Sequence, residues 1–290
     1  MENILSKFGY TPDLAEIDRI LSNIQSNLEN WAIPQNMIAC IASTDLTSLK
    51  SEDTEAKIAA FTKKVNDFKK FFPNYEAPAS ICVYPNFGKT VKDNLNVPNV
   101  HVTTVSGCFP SSQSFLDVKL LECKKVVENG TDEVDIVLAL NKFLANDIQG
   151  TAEEIQAIRK EIGNNIILKV ILETGALTTP EKIATASFLA MESGADFIKT
   201  STGKQEPAAT PMAAIVMCQC IKIYFEKTGK KIGFKPAGGI SSAKDALCYY
   251  AIVDTILGKD WLTPQYFRLG ASRLVNNLLS ELEQKTVTYF

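Results

Sequence analysis

From about residue 38 the chain alternates short β-branched runs with longer amphipathic stretches, and this alternation restricts the fold more than any other feature. The runs fall at residues 37–42, 80–84, 100–105, 133–138, 166–172, 197–200, 232–235 and 253–256. Helical patterns lie between them, over 55–70, 115–128, 152–161, 180–193, 211–227 and 242–250. Strands that alternate with helices build βαβ units and a parallel sheet. Eight of them favour a closed (β/α)8 TIM barrel over an open doubly wound sheet. Thr179-Pro180 and Thr210-Pro211 mark helix starts, each with a good cap followed by a proline in the first turn. Before the first run, Leu14, Ile17, Ile20, Leu21, Ile24 and Leu28 recur at helical spacing. The expected organisation is therefore an N-terminal helical extension over 1–37 and a barrel domain with a C-terminal tail over 38–290.

Composition narrows the function classes. The net charge is −3 with a pI near 5.5, and no long basic cluster occurs, which argues against nucleic acid or an anionic membrane as a partner. The first residues lack a signal-peptide pattern, and no apolar run reaches the roughly 18 to 20 residues that span a bilayer. Seven scattered cysteines read as free thiols in a reducing compartment. A soluble, cytoplasmic chain is expected.

Two predicted strands carry a lysine at the C-terminal end, Lys199 and Lys235. Lysine is seldom fully buried without a partner, and strands covered on both faces are normally apolar throughout. Catalytic groups of an α/β barrel come from C-terminal strand ends and the loops that follow. The polar residues there are Asp45 and Thr47, Asp135, Lys169, the stretch Lys199 to Lys204, and Lys235.

A lysine that attacks a carbonyl must be neutral. With a pKa of about 10.4, about one amine in a few thousand is free at pH 7; at roughly 7.5 the share is about a quarter. That shift represents about 4 kcal/mol, which a second ammonium about 4 Å away supplies at an effective dielectric near 20. Lys199 and Lys235 on adjacent strands could form such a pair. Asp135 would oppose the shift on whichever amine it pairs with, so orientation and proton relay suit it better. Strand-end lysines also hold phosphate or carboxylate as point charges, or pair a buried aspartate. The pattern alone leaves these roles open.

Phosphate recognition has its own signals. Ser201-Thr-Gly-Lys204 offers hydroxyls, N–H groups and a cation in a tight turn, while Ala237-Gly-Gly239 and Gly270-Ala-Ser272 each precede a predicted helix. The competing reading is that these glycines only make tight turns. Other motifs fail: Gly88-Lys-Thr90 lacks the first glycine of a P-loop, and the single histidine, His101, falls at a strand start, the stability end of a barrel. One histidine and no cysteine cluster make a zinc site improbable.

The segments Asp45-Leu-Thr47, Asp132-Glu-Val-Asp135, Leu168-Lys-Val-Ile-Leu-Glu-Thr-Gly175, Gly194-Ala-Asp-Phe-Ile-Lys-Thr-Ser-Thr-Gly-Lys204 and Gly233-Phe-Lys-Pro-Ala-Gly-Gly239 resemble the deoxyribose-phosphate aldolase family, in order, across residues 38–275. The resemblance implies a (β/α)8 barrel and a class I aldolase that uses no metal or other cofactor. The implied reaction is reversible cleavage of 2-deoxy-D-ribose 5-phosphate to D-glyceraldehyde 3-phosphate and acetaldehyde, in deoxyribonucleoside catabolism. It implies Lys199 as the Schiff-base lysine, Lys235 as a second active-site lysine and Asp135 as the proton-relay aspartate. Asp45, Thr47 and Lys169 match residues near the substrate. Thr202, Gly203, Lys204, Gly238, Gly239 and Ser272 match phosphate-binding elements. The partners so implied are a small phosphorylated sugar and short aldehydes, and the extension over 1–37 is available for packing or for a subunit contact such as a homodimer would need.

Two positions depart from the family pattern. Arg273 follows Ser272 where similar members often have a second serine, and Tyr289 is penultimate where some members end in a tyrosine that reaches the site. The competing readings are another phosphosugar lyase or isomerase on the same barrel, and a non-catalytic phosphosugar-binding protein.

Overall fold

The computed structural model describes residues 4–290. Eight strands, β1 (Thr44–Thr47), β2 (Ser80–Val83), β3 (His101–Val105), β4 (Glu133–Val137), β5 (Ile167–Ile171), β6 (Phe197–Lys199), β7 (Gly233–Lys235) and β8 (Leu269–Ala271), pair in parallel in the order β7-β6-β5-β4-β3-β2-β1-β8. The ring closes between β7 and β8. Bridges pair Phe234 with Phe267 and Ala237 with Gly270, and the Arg268 N–H donates to the Phe234 carbonyl at 3.0 Å. This is the (β/α)8 barrel that the alternation predicts.

The two-residue period of a strand sorts the side chains. On β4, Val134 and Ile136 join the apolar layer under the helices, while Glu133 and Asp135 turn to the barrel interior. Leu168 and Val170 flank Lys169 in the same way, and Ile198 and Phe234 precede Lys199 and Lys235. Register aligns Asp135 with Lys169 and Lys199 with Lys235. The charged residues therefore point into the barrel on neighbouring strands, near the C-terminal ends.

The N-terminal pattern forms the helix Leu14–Ser26, capped by Asp13, followed by a 3-10 turn at Leu28–Asn30. Phe8 stacks on Phe188 at 4.2 Å between ring centres, and the Trp31 indole N–H donates to Asp254 at 2.9 Å. Both contacts tie this region to the outer helices. No described helix is long and apolar enough to cross a membrane.

Two expected strands are helical. Residues 37–42 lie in the helix Pro34–Ala42, so the expected domain boundary at 37/38 falls inside one helix. Pro34 opens it after an extended Ile33, and Met37, Cys40 and Ile41 are buried at helical spacing. A six-residue apolar run satisfies either period. Residues 253–256 are the last turn of the helix Ala243–Ile256, and the eighth strand is Leu269–Ala271.

Gly270 explains why that strand is hard to see and why it fits. A Cβ there would lie 2.7 Å from Ala237 Cβ and 3.2 Å from Lys235 Cε. The seam between β7 and β8 therefore needs a residue without a side chain. Gly270→Ala is expected to lower the unfolding free energy by about 1–3 kcal/mol, read as a lower urea midpoint at constant slope. An unchanged midpoint would show that the seam relaxes freely.

Candidate active site

Seven charged side chains meet inside the barrel, all at most 3% exposed: Asp45, Glu133, Asp135, Lys169, Lys199, Lys235 and Arg268. Asp135 lies at their centre. Its Oδ2 accepts from both Lys199 Nζ at 2.8 Å and Lys235 Nζ at 2.7 Å, and its Oδ1 accepts from Lys169 Nζ at 3.2 Å. Lys235 has a second carboxylate, Asp45 Oδ2 at 2.5 Å, an ion pair without hydrogen-bond angles. Lys169 also pairs with Glu133 and lies 3.7 Å from Asp45 Oδ2. Beneath them the Arg268 guanidinium joins Asp45 Oδ1 at 2.5 Å to Glu133 Oε1 at 2.7 Å. His101 Nδ1 lies 2.6 Å from Glu133 Oε1, at the foot of the barrel.

Three carboxylates face four cations in this layer. Fully ionised, it would carry one uncompensated positive charge in a dry interior, which is costly. Release of one proton from an amine balances it. Burial and the Lys235 cation lower the pKa of Lys199, against the pull of Asp135. Burial acts in the same direction on Lys235, but Asp135 and Asp45 outweigh it and raise its pKa. Burial is likewise outweighed at Lys169, where Asp135 and Glu133 raise the pKa. For Asp135, burial is overcome by Lys169, Lys199 and Lys235, and its pKa falls well below the usual carboxylate range. The amine that gives up its proton most readily is Lys199.

Lys199 is also the one amine of this layer that opens onto the cavity above. That cavity, about 390 Å³, is lined by Thr47, Lys199, Thr202, Gly203, Lys204, Gly238, Gly239, Ser272 and Arg273, among others. Gly238 has φ +86°, and a Cβ there would lie 2.5 Å from Ala208 Cβ and 3.1 Å from Gly203 Cα, so the two glycine loops are in backbone contact. Ser272 and Arg273 precede the helix Leu274–Glu283, whose N-terminus has no side-chain cap. Uncapped N–H groups, glycine loops and the Lys204 amine suit an anion. Lys204 Nζ donates to the Leu49 carbonyl at 2.6 Å, which links the loops after β6 and β1.

The structure thus brings the sequence-predicted site residues together in two tiers. Thr47, Lys199, Thr202, Gly203, Lys204, Gly238, Gly239 and Ser272 line the cavity. Asp45, Asp135, Lys169 and Lys235 lie below it, where they pair with one another and with Lys199, Glu133 and Arg268. Tyr289 is elsewhere. Its hydroxyl donates to the Lys64 carbonyl at 2.7 Å and its ring packs against Phe68, Phe71 and Phe72.

Three residues of the site escape the sequence reading. Glu133 shares the inward face of β4 with Asp135, a two-residue spacing that was visible. Arg268 precedes β8, a strand that the sequence pattern places at 253–256 instead. Glu173 holds a left-handed backbone (φ +54°) and accepts from the Thr202 hydroxyl at 2.6 Å, fixing the loop after β6.

Known proteins carry the same architecture. The DeoC/LacD family aldolase model matches residues 39–250. A Caenorhabditis elegans protein is 40% identical over 272 residues, covering 93% of this chain and 89% of its own. The human deoxyribose-phosphate aldolase is 38% identical over 252 residues, covering 83% of this chain and 79% of its own. The deoxyribose phosphate aldolase from Aeropyrum pernix, described as a unique tetramer, shares the fold with a TM-score of 0.67 at 23% identity, covering 93% of this chain and 98% of that one.

The buried layer generates a stability prediction. Arg268→Met removes the cation that joins Asp45 to Glu133 and leaves two buried carboxylates short of a partner. It is expected to cost about 3–5 kcal/mol. The carboxylate pKa values are depressed, so their contribution is present above the unfolded value near 4 and is lost as pH falls below it. Chemical denaturation at pH 7 and at pH 3 measures both. A small loss at pH 7 would show that Lys169 and Lys235 suffice.

Proposed function

The chain belongs to the DeoC/LacD aldolase family, and from that premise we propose that it cleaves 2-deoxy-D-ribose 5-phosphate reversibly to D-glyceraldehyde 3-phosphate and acetaldehyde through a Schiff base on Lys199. One observation carries the reading. Lys199 alone opens from the charged layer onto the cavity, and it shares its carboxylate oxygen with a better-held ammonium, Lys235. The names and identities of the relatives support the same substrate.

The sugar phosphate enters with its phosphate on Gly203, Lys204, Gly238, Gly239 and Ser272 and its aldehyde carbon over Lys199. The neutral amine adds to C1, and loss of water gives an iminium. Acetaldehyde carries two carbons, so the bond that breaks is C2–C3. Its electron pair moves into the iminium to form an enamine as the C3 hydroxyl gives up its proton and becomes the aldehyde of glyceraldehyde 3-phosphate. Protonation of the enamine at C2, followed by addition of water, returns acetaldehyde and the free amine. Asp135 and Lys235 relay protons at these steps, because they form the hydrogen-bonded pair next to the reacting nitrogen. Asp45, Lys169, Glu133 and Arg268 are positioning residues, which hold Asp135 ionised and Lys235 charged.

Incubation with acetaldehyde and borohydride is expected to give a reduced covalent adduct on the peptide that contains Lys199, found by mass. Lys199→Leu is expected to lose the adduct and at least about 10⁴-fold in kcat, the scale seen when an essential covalent group is removed. Cleavage retained in that variant would reject the nucleophile.

Lys235→Leu separates charge from chemistry. With the neighbouring cation gone and Asp135 Oδ2 left to Lys199, the pKa of Lys199 rises. The rising limb of the kcat/KM profile is expected to move up by more than about one pH unit, out of the roughly three that a charge 4 Å away can supply. A fall in rate with an unmoved limb would assign Lys235 to proton transfer only.

A further inference from the structure

A second cavity, about 560 Å³, adjoins the first on the β1 and β8 side and shares Thr47, Ser48, Lys50, Ser272 and Arg273 with it. A ligand held by its phosphate in the first cavity can therefore continue into the second along a shared wall.

The second cavity is cationic. Lys50, Lys57 and Arg273 border it against one side-chain carboxylate, Asp53. That carboxylate is already engaged, since Asp53 Oδ2 accepts from Ser48 Oγ at 2.8 Å and from the Lys50 N–H at 3.0 Å. Lys57 Nζ donates once, to the Glu52 carbonyl at 2.9 Å, which leaves two N–H groups for a ligand. The Arg273 guanidinium makes no hydrogen bond or ion pair with the described residues. It stands where the cavities meet, and its planar fork can bridge two phosphoryl groups. The opposite wall is apolar, formed by Ile58, Phe61 and Phe290. Phe290 is fixed there: Asn276 Nδ2 donates to its carbonyl at 3.0 Å, its N–H donates to Asn276 Oδ1 at 3.0 Å, and its ring stacks on Phe68.

We propose that this second cavity is a subsite for the outer phosphoryl group of a diphosphate, so that diphosphates bind across both cavities and compete with the phosphorylated sugar. The inference rests on the phosphate end of the first cavity assigned above. The shared chemistry is two linked phosphoryl groups, from inorganic pyrophosphate or from a nucleoside diphosphate whose base meets Phe61 and Phe290.

Calorimetric titration of the full chain tests it with inorganic phosphate, inorganic pyrophosphate and 2′-deoxyadenosine 5′-diphosphate. Pyrophosphate is expected to bind at least about tenfold more tightly than phosphate, the scale of one charge-assisted contact. Lys57 borders only the second cavity, so Lys57→Gln should remove most of that advantage while phosphate affinity and cleavage of the sugar phosphate stay within about twofold. Lys64→Gln, on the same helix but outside the cavity, controls for general loss of charge and should change neither. Tighter binding of the nucleoside diphosphate that Phe61→Ala abolishes assigns an organic ester; equal binding assigns the inorganic group. A pyrophosphate advantage that is absent, survives Lys57→Gln or falls equally in Lys64→Gln overturns the subsite. Cleavage is assayed separately, so absent turnover with an intact pyrophosphate advantage would sink the aldolase reading and leave the subsite standing.

Discussion

One carboxylate oxygen, Oδ2 of Asp135, holds two amines, and the rest of the site depends on it. Two ammonium groups on a single oxygen in a dry interior repel each other and must share its one charge. The structure breaks this symmetry by giving Lys235 a second carboxylate, Asp45, and giving Lys199 none. The proton therefore stays on Lys235. The amine left with the weaker claim is also the one that opens onto the cavity. Electrostatics and access select the same residue.

Holding Asp135 in place draws in the remaining charges. Lys169 braces its other oxygen, and Arg268 fixes Asp45 against Glu133 one layer down. A buried ionic cluster of this size is a poor way to stabilise a fold, because apolar replacements of similar volume are often neutral or better. Its explanation lies in chemistry. The barrel supplies the rigidity, since β4 to β7 fix Asp135 beside Lys169 and Lys199 beside Lys235 by backbone register, independent of the side chains.

Much of this was legible because the residues offend their surroundings. A lysine at the end of an apolar run, as at Lys199 and Lys235, has few bland explanations, and the barrel periodicity places both at one mouth. Asp135 follows for the same reason. Arg268 was not legible, since its context, Tyr266-Phe-Arg-Leu-Gly270, precedes a three-residue strand whose middle position must be glycine. The β-branched run at 253–256 competes with it for the eighth strand. Glu133 was readable by parity with Asp135, yet a carboxylate at a strand start reads as solvated until its partner is known. Glu173 lies in a segment that resembles the family, yet its role depends on a left-handed backbone that local sequence does not specify.

The placement of anion-binding groups follows from the same electrostatics. A phosphate dianion close to Lys199 would stabilise its ammonium and undo the depression of its pKa. On the proposed reading, the site holds the phosphate firmly and keeps its field from the amine of Lys199. Glycine loops, an uncapped helix N-terminus, Lys204 and Arg273 gather on the outer walls of the cavity, where they can neutralise the phosphate locally. Lys235 and the inner carboxylates lie beneath the floor, fully buried. On the proposed reading, separating an outer cationic rim from an inner, nearly balanced layer allows one small cavity to bind a dianion beside a neutral lysine, two demands that would conflict if the charges were pooled.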